Sequence, residues 1–275
     1  MRVRGYADGT PCWAAVATSN VEASQAFYGA LFGWQFTDGR FALDGRAVAG
    51  VRGRGPGPSA WLMSISTDDA NHVTQVVEAA RGRVRVAPQP AGPGGAAARG
   101  GAGAHDGGSG FGPGGPEGTS AIFSDPAGAV FSVWQRGTFG GAQVAMEPGA
   151  ICWYELATPD IAGADDFYST VFDWRVHEAA SAPGDPYFEF RHNDDAVAGL
   201  VPIDHRFPSR DVPAHWTVCF MVDDCARSCD RATDLGGTVA RKPMTVSTGW
   251  YARLADPEGA HFAIIELADE LRMDF

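Results

Sequence analysis

Lysine is almost missing from this chain. Lys242 stands alone among 21 basic residues, and the other twenty are arginines. The Ala-, Gly- and Arg-rich usage that accompanies this is that of a GC-rich genome, as in actinobacteria. Basic charge is also outnumbered: 33 acidic residues leave a formal charge of -12. Such a surface repels polyanions, which disfavours nucleic acid and anionic membrane as partners. It mildly favours a cationic small molecule, and simple solubility explains it equally well. No apolar run approaches the ~20 residues that span a bilayer. The opening, Met1-Arg-Val-Arg-Gly-Tyr6, lacks the apolar centre of a signal peptide, so the cytoplasm is the expected location. The five cysteines form neither a CxxC pair nor a Cys/His zinc spacing, and they read as small core residues.

What the chain does have, it has twice. Residues Pro11 to Trp34 read PCWAAVATSNVEASQAFYGALFGW, and residues Ile151 to Trp174 read ICWYELATPDIAGADDFYSTVFDW. The Cys-Trp pairs, the Phe-Tyr pairs and the terminal Trp residues all recur at a spacing of 140 positions. Self-similarity on this scale means two copies of one unit, each long enough to bury a core. The copies span 8–137 and 148–268.

Each copy reads as two βαβββ modules. In the first, Cys12 to Thr18 is a strand, and Asn20 caps a helix running to Phe32. Ala23, Phe27 and Leu31 fall at helical spacing on the face that packs against a sheet. Gly33 ends the helix, and three short strands follow. The second module begins with a strand at Trp61 to Thr67. Asp68 and Asp69 then cap a helix, Arg83 to Ala87 is a strand, and Asp125-Pro-Ala-Gly turns between the last two strands. Trp216 to Val222, Asp223-Asp224, Gly236-Gly237 and Asp256-Pro-Glu-Gly repeat this in the second copy. Residues 91–118, mostly Gly, Ala and Pro, form an insertion peculiar to the first copy. Their composition cannot offset ordering entropy, so they read as a mobile surface loop, a lid or a tolerated insert.

The strand, the run D/N-x-E-x-S-x-x-F-Y-x-x-x-F-G-W, the V-D-D before a helix and the D-P-x-G before the last strand together resemble the vicinal oxygen chelate superfamily. That superfamily includes glyoxalase I, extradiol dioxygenases, fosfomycin-resistance enzymes and bleomycin-binding proteins. The resemblance covers nearly the whole chain and is nearest to the tandem actinobacterial, glyoxalase-like type. Some of that type resemble accessory proteins of antibiotic clusters, the doxorubicin pathway among them. It implies an α+β fold of two tandem glyoxalase-like domains, each a curved eight-stranded sheet around a cavity.

The resemblance also implies a metal site, and this sequence departs from it. The ligand positions of metal-dependent members fall on Trp13, Leu62 and Ser132 in the first copy, and on Trp153, Thr217 and Ala263 in the second. None suits zinc or a first-row divalent metal. His215 and His261 lie two residues from Thr217 and Ala263, on the same strand faces, and leave a shifted site conceivable. By position, Trp13 and Trp153 point into the cavities, with Ser132 and Trp134 alongside. Cavities lined by indoles and small residues suit a flat aromatic guest, and indole faces also attract cations. In the second copy Glu155 shares the face of Trp153, where it would pair with an arginine such as Arg253 or be solvated at the rim. Trp250 and Tyr251 make the rim aromatic.

Three functions compete on this reading. The first is a metal-free binding protein, with no cofactor, for a planar aromatic metabolite or drug. It would protect a producer, or relieve product inhibition of a pathway enzyme. Its ligand-binding residues would be Trp13, Leu62, Ser132 and Trp134 in one copy, and Trp153, Glu155, Thr217 and Trp250 in the other. The second is a metal-independent isomerase, cyclase or hydrolase using Glu155 with His215 or His261 as catalytic residues. The third is a metalloenzyme with unusual ligands. The chain is expected as a monomer or homodimer.

Overall fold

The computed structural model describes residues 2–53, 58–92, 117–179, 186–204, 207 and 211–272. The expected insertion therefore lies largely outside the described residues. Its flanks are ordered strands: Ala91 pairs with Gly118, so the insertion joins two neighbouring antiparallel strands.

The first copy contains β1 (Pro11–Thr18), α1 (Val21–Phe32), β2 (Gln35–Thr37), β3 (Arg40–Leu43) and β4 (Arg46–Gly53) as one module. Its second module is β5 (Ala60–Thr67), α2 (Ala70–Ala79), β6 (Arg83–Ala91), β7 (Gly118–Ser124) and β8 (Val130–Arg136). The second copy repeats them as β9 (Ile151–Thr158), α3 (Ile161–Phe172), β10 (Arg175–Glu178), β11 (Phe188–His192) and β12 (Asp195–Pro202). It continues with β13 (His215–Met221), α4 (Cys225–Asp234), β14 (Thr238–Val246), β15 (Gly249–Ala255) and β16 (His261–Leu267), then a short α5 (Asp269–Arg272). Two eight-stranded sheets result, ordered β2-β3-β4-β1-β5-β8-β7-β6 and β10-β11-β12-β9-β13-β16-β15-β14. In each, the two modules meet along an antiparallel pair, β1 with β5 and β9 with β13.

The helix ends follow from local chemistry. The side chains of Asn20, Asp69, Asp160 and Asp224 each accept a backbone N–H of the first turn. Gly33 closes α1 at φ 74°, and Asp173 takes the same left-handed position after α3 at φ 56°.

The copies do not bury separate cores. One continuous cluster runs from Ala14, Tyr28 and Phe131 to Tyr168, Phe220 and Phe262. The expectation that each copy buries its own core is corrected here, because the first helix of each copy also packs on the other copy. Phe167, Tyr168 and Phe172 of α3 lie 6.0, 5.8 and 5.9 Å from the ring of Phe131 in β8. Reciprocally, Phe27 and Tyr28 of α1 lie 6.4 and 5.7 Å from Phe262 of β16.

Buried hydrogen bonds repeat this exchange with near two-fold symmetry. Trp61 Nε1 donates to Tyr28 Oη at 2.9 Å, and Tyr28 donates to Asp256 of the other copy at 2.9 Å. Trp216 donates to Tyr168 at 2.9 Å, and Tyr168 donates to Asp125 at 3.2 Å. Trp34 and Trp174 donate to the carbonyls of Gly149 and Gly9, each just ahead of the other copy's first strand. The repeated Phe-Tyr and Trp motifs thus fasten one copy to the other.

Candidate functional site on the concave face of the second copy

The strand β9 reaches its concave face through a β-bulge. Trp153 pairs with Cys219 and Ile151 with Phe220, which leaves Cys152 as the extra residue. Two consecutive residues, Cys152 and Trp153, therefore join the same concave cluster, which strict alternation forbids. The same bulge places Cys12 and Trp13 together in the first copy. All five cysteines are buried free thiols; burial pushes the Cys12 thiol above its ordinary value, and the hydrogen bond with Cys152, together with burial, does the same to Cys219.

The two concave faces then diverge. In the first copy, Trp13 and Trp134 are each 2% exposed because Phe139 stands between them. Its ring lies 5.0 Å from Trp13 and 6.1 Å from Trp134, edge-on to both. Trp134 Nε1 donates to the Phe139 carbonyl at 2.9 Å. The segment after β8 is laced across this hollow, Ala142 N–H donating to the Cys12 carbonyl and Gln143 N–H to that of Ala47. Arg40 lies 4.4 Å over the Phe139 ring and pairs with Glu117. Ser132 is buried, hydrogen-bonded to Ser64 Oγ at 2.6 Å and to the Met63 carbonyl at 2.8 Å. Leu62 is half-buried beside Ala15. Trp13 and Trp134 share one buried cluster with Phe139, a plug that arrives from outside the repeat and that sequence reasoning missed.

In the second copy Ile265 and Ala263 stand where the first has Trp134 and Ser132, and two other positions of the face become charged. Matching the strand registers puts Glu155 opposite Ala15, Thr217 opposite Leu62, Tyr251 opposite Ser120 and Arg253 opposite Ile122. Trp153 is only half-buried, and its Nε1 donates to Tyr187 Oη at 2.8 Å. Gly199, the parallel neighbour of Glu155, makes room for that pair. A Cβ there would stand 2.8 Å from Trp153 Nε1 and would strike the Tyr187 hydroxyl. A cavity of about 260 Å³ opens beside Trp153, bounded by Tyr6, Ala142, Met146, Cys152, Tyr154 and Val197 among others. That volume is close to the small end of ligand pockets.

Arg253 is the centre of the polar group, and sequence reasoning gave it only a supporting part. Its Nη2 donates to Thr217 Oγ1 at 2.5 Å and to His215 Nε2 at 3.0 Å. Its guanidinium lies 5.8 Å from the Phe207 ring centroid. His215 Nδ1 sits 2.9 Å from the Pro213 carbonyl, which must accept, so the proton is on Nδ1 and Nε2 is free to accept from Arg253. Burial lowers the His215 pKa, in keeping with this neutral tautomer. With both ring nitrogens engaged, His215 holds Arg253 in place. His261 stands exposed at the start of β16. Trp250 is 48% exposed and alternates with Tyr251, sharing its strand face with the core residues Ala252 and Leu254. Tyr251 joins the inner cluster, and Trp250 stands exposed beside it.

Glu155 faces the same space. Among the described residues its carboxylate makes no hydrogen bond and no close ion pair. Burial raises its pKa above the ordinary glutamate value, and the positive charges of Arg253 and Arg241 pull it partly back. A raised folded-state pKa means the folded protein holds the proton more tightly than the unfolded chain. Stability therefore falls as pH rises from the unfolded value through the folded one. Glu155→Gln removes that cost. The variant is expected to melt above the unaltered protein at mildly alkaline pH, with the gap closing on acidification. Thermal unfolding at two pH values checks this; a gap that widens on acidification contradicts it.

The positions that hold metal in metal-dependent members of the superfamily, carried onto this chain, offer two hydroxyls and no carboxylate, imidazole or thiolate. Among the described residues no group of three or more His, Cys, Asp and Glu is assembled that could hold a metal ion. The residues present do not fit one.

Two βαβββ modules per sheet, joined through a bulged central strand over a concave face, define a two-domain vicinal oxygen chelate fold. Solved structures agree. The chain is similar to a Mn(II)-bound glyoxalase from Novosphingobium aromaticivorans, with TM-score 0.60 and 19% identity over 95% of this chain and 83% of that one. It is also similar to the 2,3-dioxygenase LapB from Pseudomonas sp. KL28, with TM-score 0.57 and 16% identity over 93% and 91%. A glyoxalase-like domain model matches residues 153–265, the second copy. Relatives in sequence include the anthracycline biosynthesis protein DnrV of Streptomyces peucetius, 33% identical over 96% of this chain and 95% of that protein. A putative glyoxylase, CFP32, of Mycobacterium bovis is 31% identical over 96% and 97%. The chain belongs to the glyoxalase-like family of the vicinal oxygen chelate superfamily.

Proposed function

We propose that this protein has an accessory role in antibiotic biosynthesis, in which the concave face of the second copy holds a planar aromatic natural product without a metal ion. One observation carries the reading. The inner cluster is filled by the chain's own Phe139 in the first copy; in the second, the half-buried Trp153 and Tyr251 join it with Met146, Val246 and Leu271 packed alongside, and Tyr187 bonds to Trp153. An aromatic ring edge-on to tryptophan in the first copy supports an aromatic guest in the second, which keeps Trp153 and adds Glu155, Thr217, Tyr251 and Arg253. Relatives named as anthracycline biosynthesis proteins support the antibiotic context. The chemistry of the donor set at the ligand positions supports metal independence. Such a protein takes its guest from, or delivers it to, an enzyme of the same pathway. Titrating polycyclic aromatic polyketides against intrinsic tryptophan fluorescence tests this. Saturable quenching is expected; no saturable change with any member of the series contradicts the reading.

A further inference from the structure

The side chain of Arg253 departs from β15, and its guanidinium is anchored on Thr217 of β13. Between those strands lies β16, where the residue paired with Arg253 is Ala263, 1% exposed and too small to obstruct the crossing. Thr217 and Ala263 are two of the three positions where the resemblance calls for metal ligands, and the third, Trp153, is paired with Cys219 in the same lane. The place of a metal is thus crossed by a fixed organic cation. It is held from three sides, by Thr217 Oγ1, by His215 Nε2 and by the Phe207 face. Only Nη2 is used in those bonds; among the described residues Nε and Nη1 make none. Glu155 is the cross-strand partner of Thr217, so an open carboxylate stands next to the anchored guanidinium. The first copy has Ala15 and Ile122 at these two places and lacks both charges.

We infer that in the second copy the Arg253 guanidinium takes the place of the metal, and that Arg253 and Glu155 together recognise a guest carrying a hydroxyl and a carbonyl oxygen on one planar ring system, that is, a phenolic quinone or aryl ketone. Arg253 donates to the carbonyl oxygen, and Glu155 accepts from the phenolic hydroxyl. Trp153 and Tyr251 provide the apolar walls. This rests on the reading above that the concave face binds a planar aromatic, and it names the oxygen pattern that such a guest must carry. Arginine suits the part because its charge is permanent and its donors are fixed in direction. A carboxylate without a partner is costly to bury, and a guest hydroxyl supplies the missing bond.

Three probes of one shape separate the two claims: 2-hydroxyanthraquinone, 2-methoxyanthraquinone and unsubstituted anthraquinone, each titrated against the full chain by tryptophan fluorescence. The hydroxyl probe should bind about ten-fold or more tightly than the methoxy probe, which keeps every acceptor and loses only the donor. Glu155→Leu, which removes the acceptor, should erase most of that preference. Arg253→Met should weaken all three carbonyl-bearing probes. Equal affinity for the hydroxyl and methoxy probes overturns the inference about Glu155 and Arg253 while leaving aromatic binding intact. Binding of none of the three overturns the underlying reading as well. The comparison on the unaltered chain needs no variant, so a folding defect in either substitution leaves the test standing.

Discussion

Residues 148–268 expressed without the first copy will not yield a folded monomer. They will associate with themselves or aggregate. The reason is the exchange of helices between copies. In the intact chain Phe167, Tyr168 and Phe172 are 2%, 0% and 6% exposed, and much of their cover is Phe131 of the first copy. Burying one such side chain contributes ~1.5–3 kcal/mol, so uncovering three costs roughly 5–9 kcal/mol, against a total stability of about 5–15 kcal/mol. Tyr168 also loses Asp125, and Trp174 loses the Gly9 carbonyl. Self-association is favoured because the seam is self-complementary. Asp256 corresponds to Asp125, so Tyr168 of one fragment can meet Asp256 of another. Sedimentation of the purified fragment should show dimer or larger species. A well-dispersed monomer with native near-ultraviolet dichroism contradicts the shared core. The full chain, by the same argument, should unfold in one transition.

The second large effect separates the copies by function. Trp153→Ala should weaken aromatic binding by roughly thirty- to two-thousand-fold, the sum of ~1.5–3 kcal/mol of lost burial and ~0.5–1.5 kcal/mol of ring contact. It should change stability little, because Trp153 is already half open and its indole N–H bonds only to Tyr187. Trp13→Ala should do the opposite. Trp13 is 2% exposed against Phe139, so its removal leaves a cavity and should cost ~3–5 kcal/mol of stability. Affinity for the guest should stay within about two-fold, since no guest reaches that hollow. Equilibrium unfolding and fluorescence titration of both variants give the four numbers. Equal loss of affinity in the two would mean that the first copy binds as well.

Much of the architecture is legible in the chain because repeated motifs fix repeated structure. Asn20, Asp69, Asp160 and Gly33 act at the helix ends as their residue types dictate. The D-P-x-G turns and the strand order follow from the resemblance. Other features escape a linear reading for physical reasons. Alternation cannot anticipate that Cys152 and Trp153 share a face, since a bulge adds a residue out of period. Phe139 lies after the last strand of its copy, where nothing in the pattern marks it as filling a distant hollow. Phe27, Tyr28, Phe167 and Tyr168 read as helix-to-sheet packing, yet a single chain does not reveal which sheet receives them. Arg253 had a faint signal: with Tyr251 it alternates against the buried Ala252 and Leu254, which marks a charged residue turned inward.

The asymmetry of the pair has an energetic logic. A plugged hollow contributes packing, and an open one with a bare carboxylate costs stability that only binding recovers. On the proposed reading, one copy serves as the scaffold that completes the shared core, and the other holds the guest.

The most direct test is calorimetric titration of chelator-treated full-length protein with a hydroxylated polycyclic aromatic, repeated after adding Mn(II), Fe(II) or Zn(II). One site per chain, with affinity unaltered by any of the metals, is the predicted result. Two sites per chain, or binding that appears only once a metal is added, would contradict it.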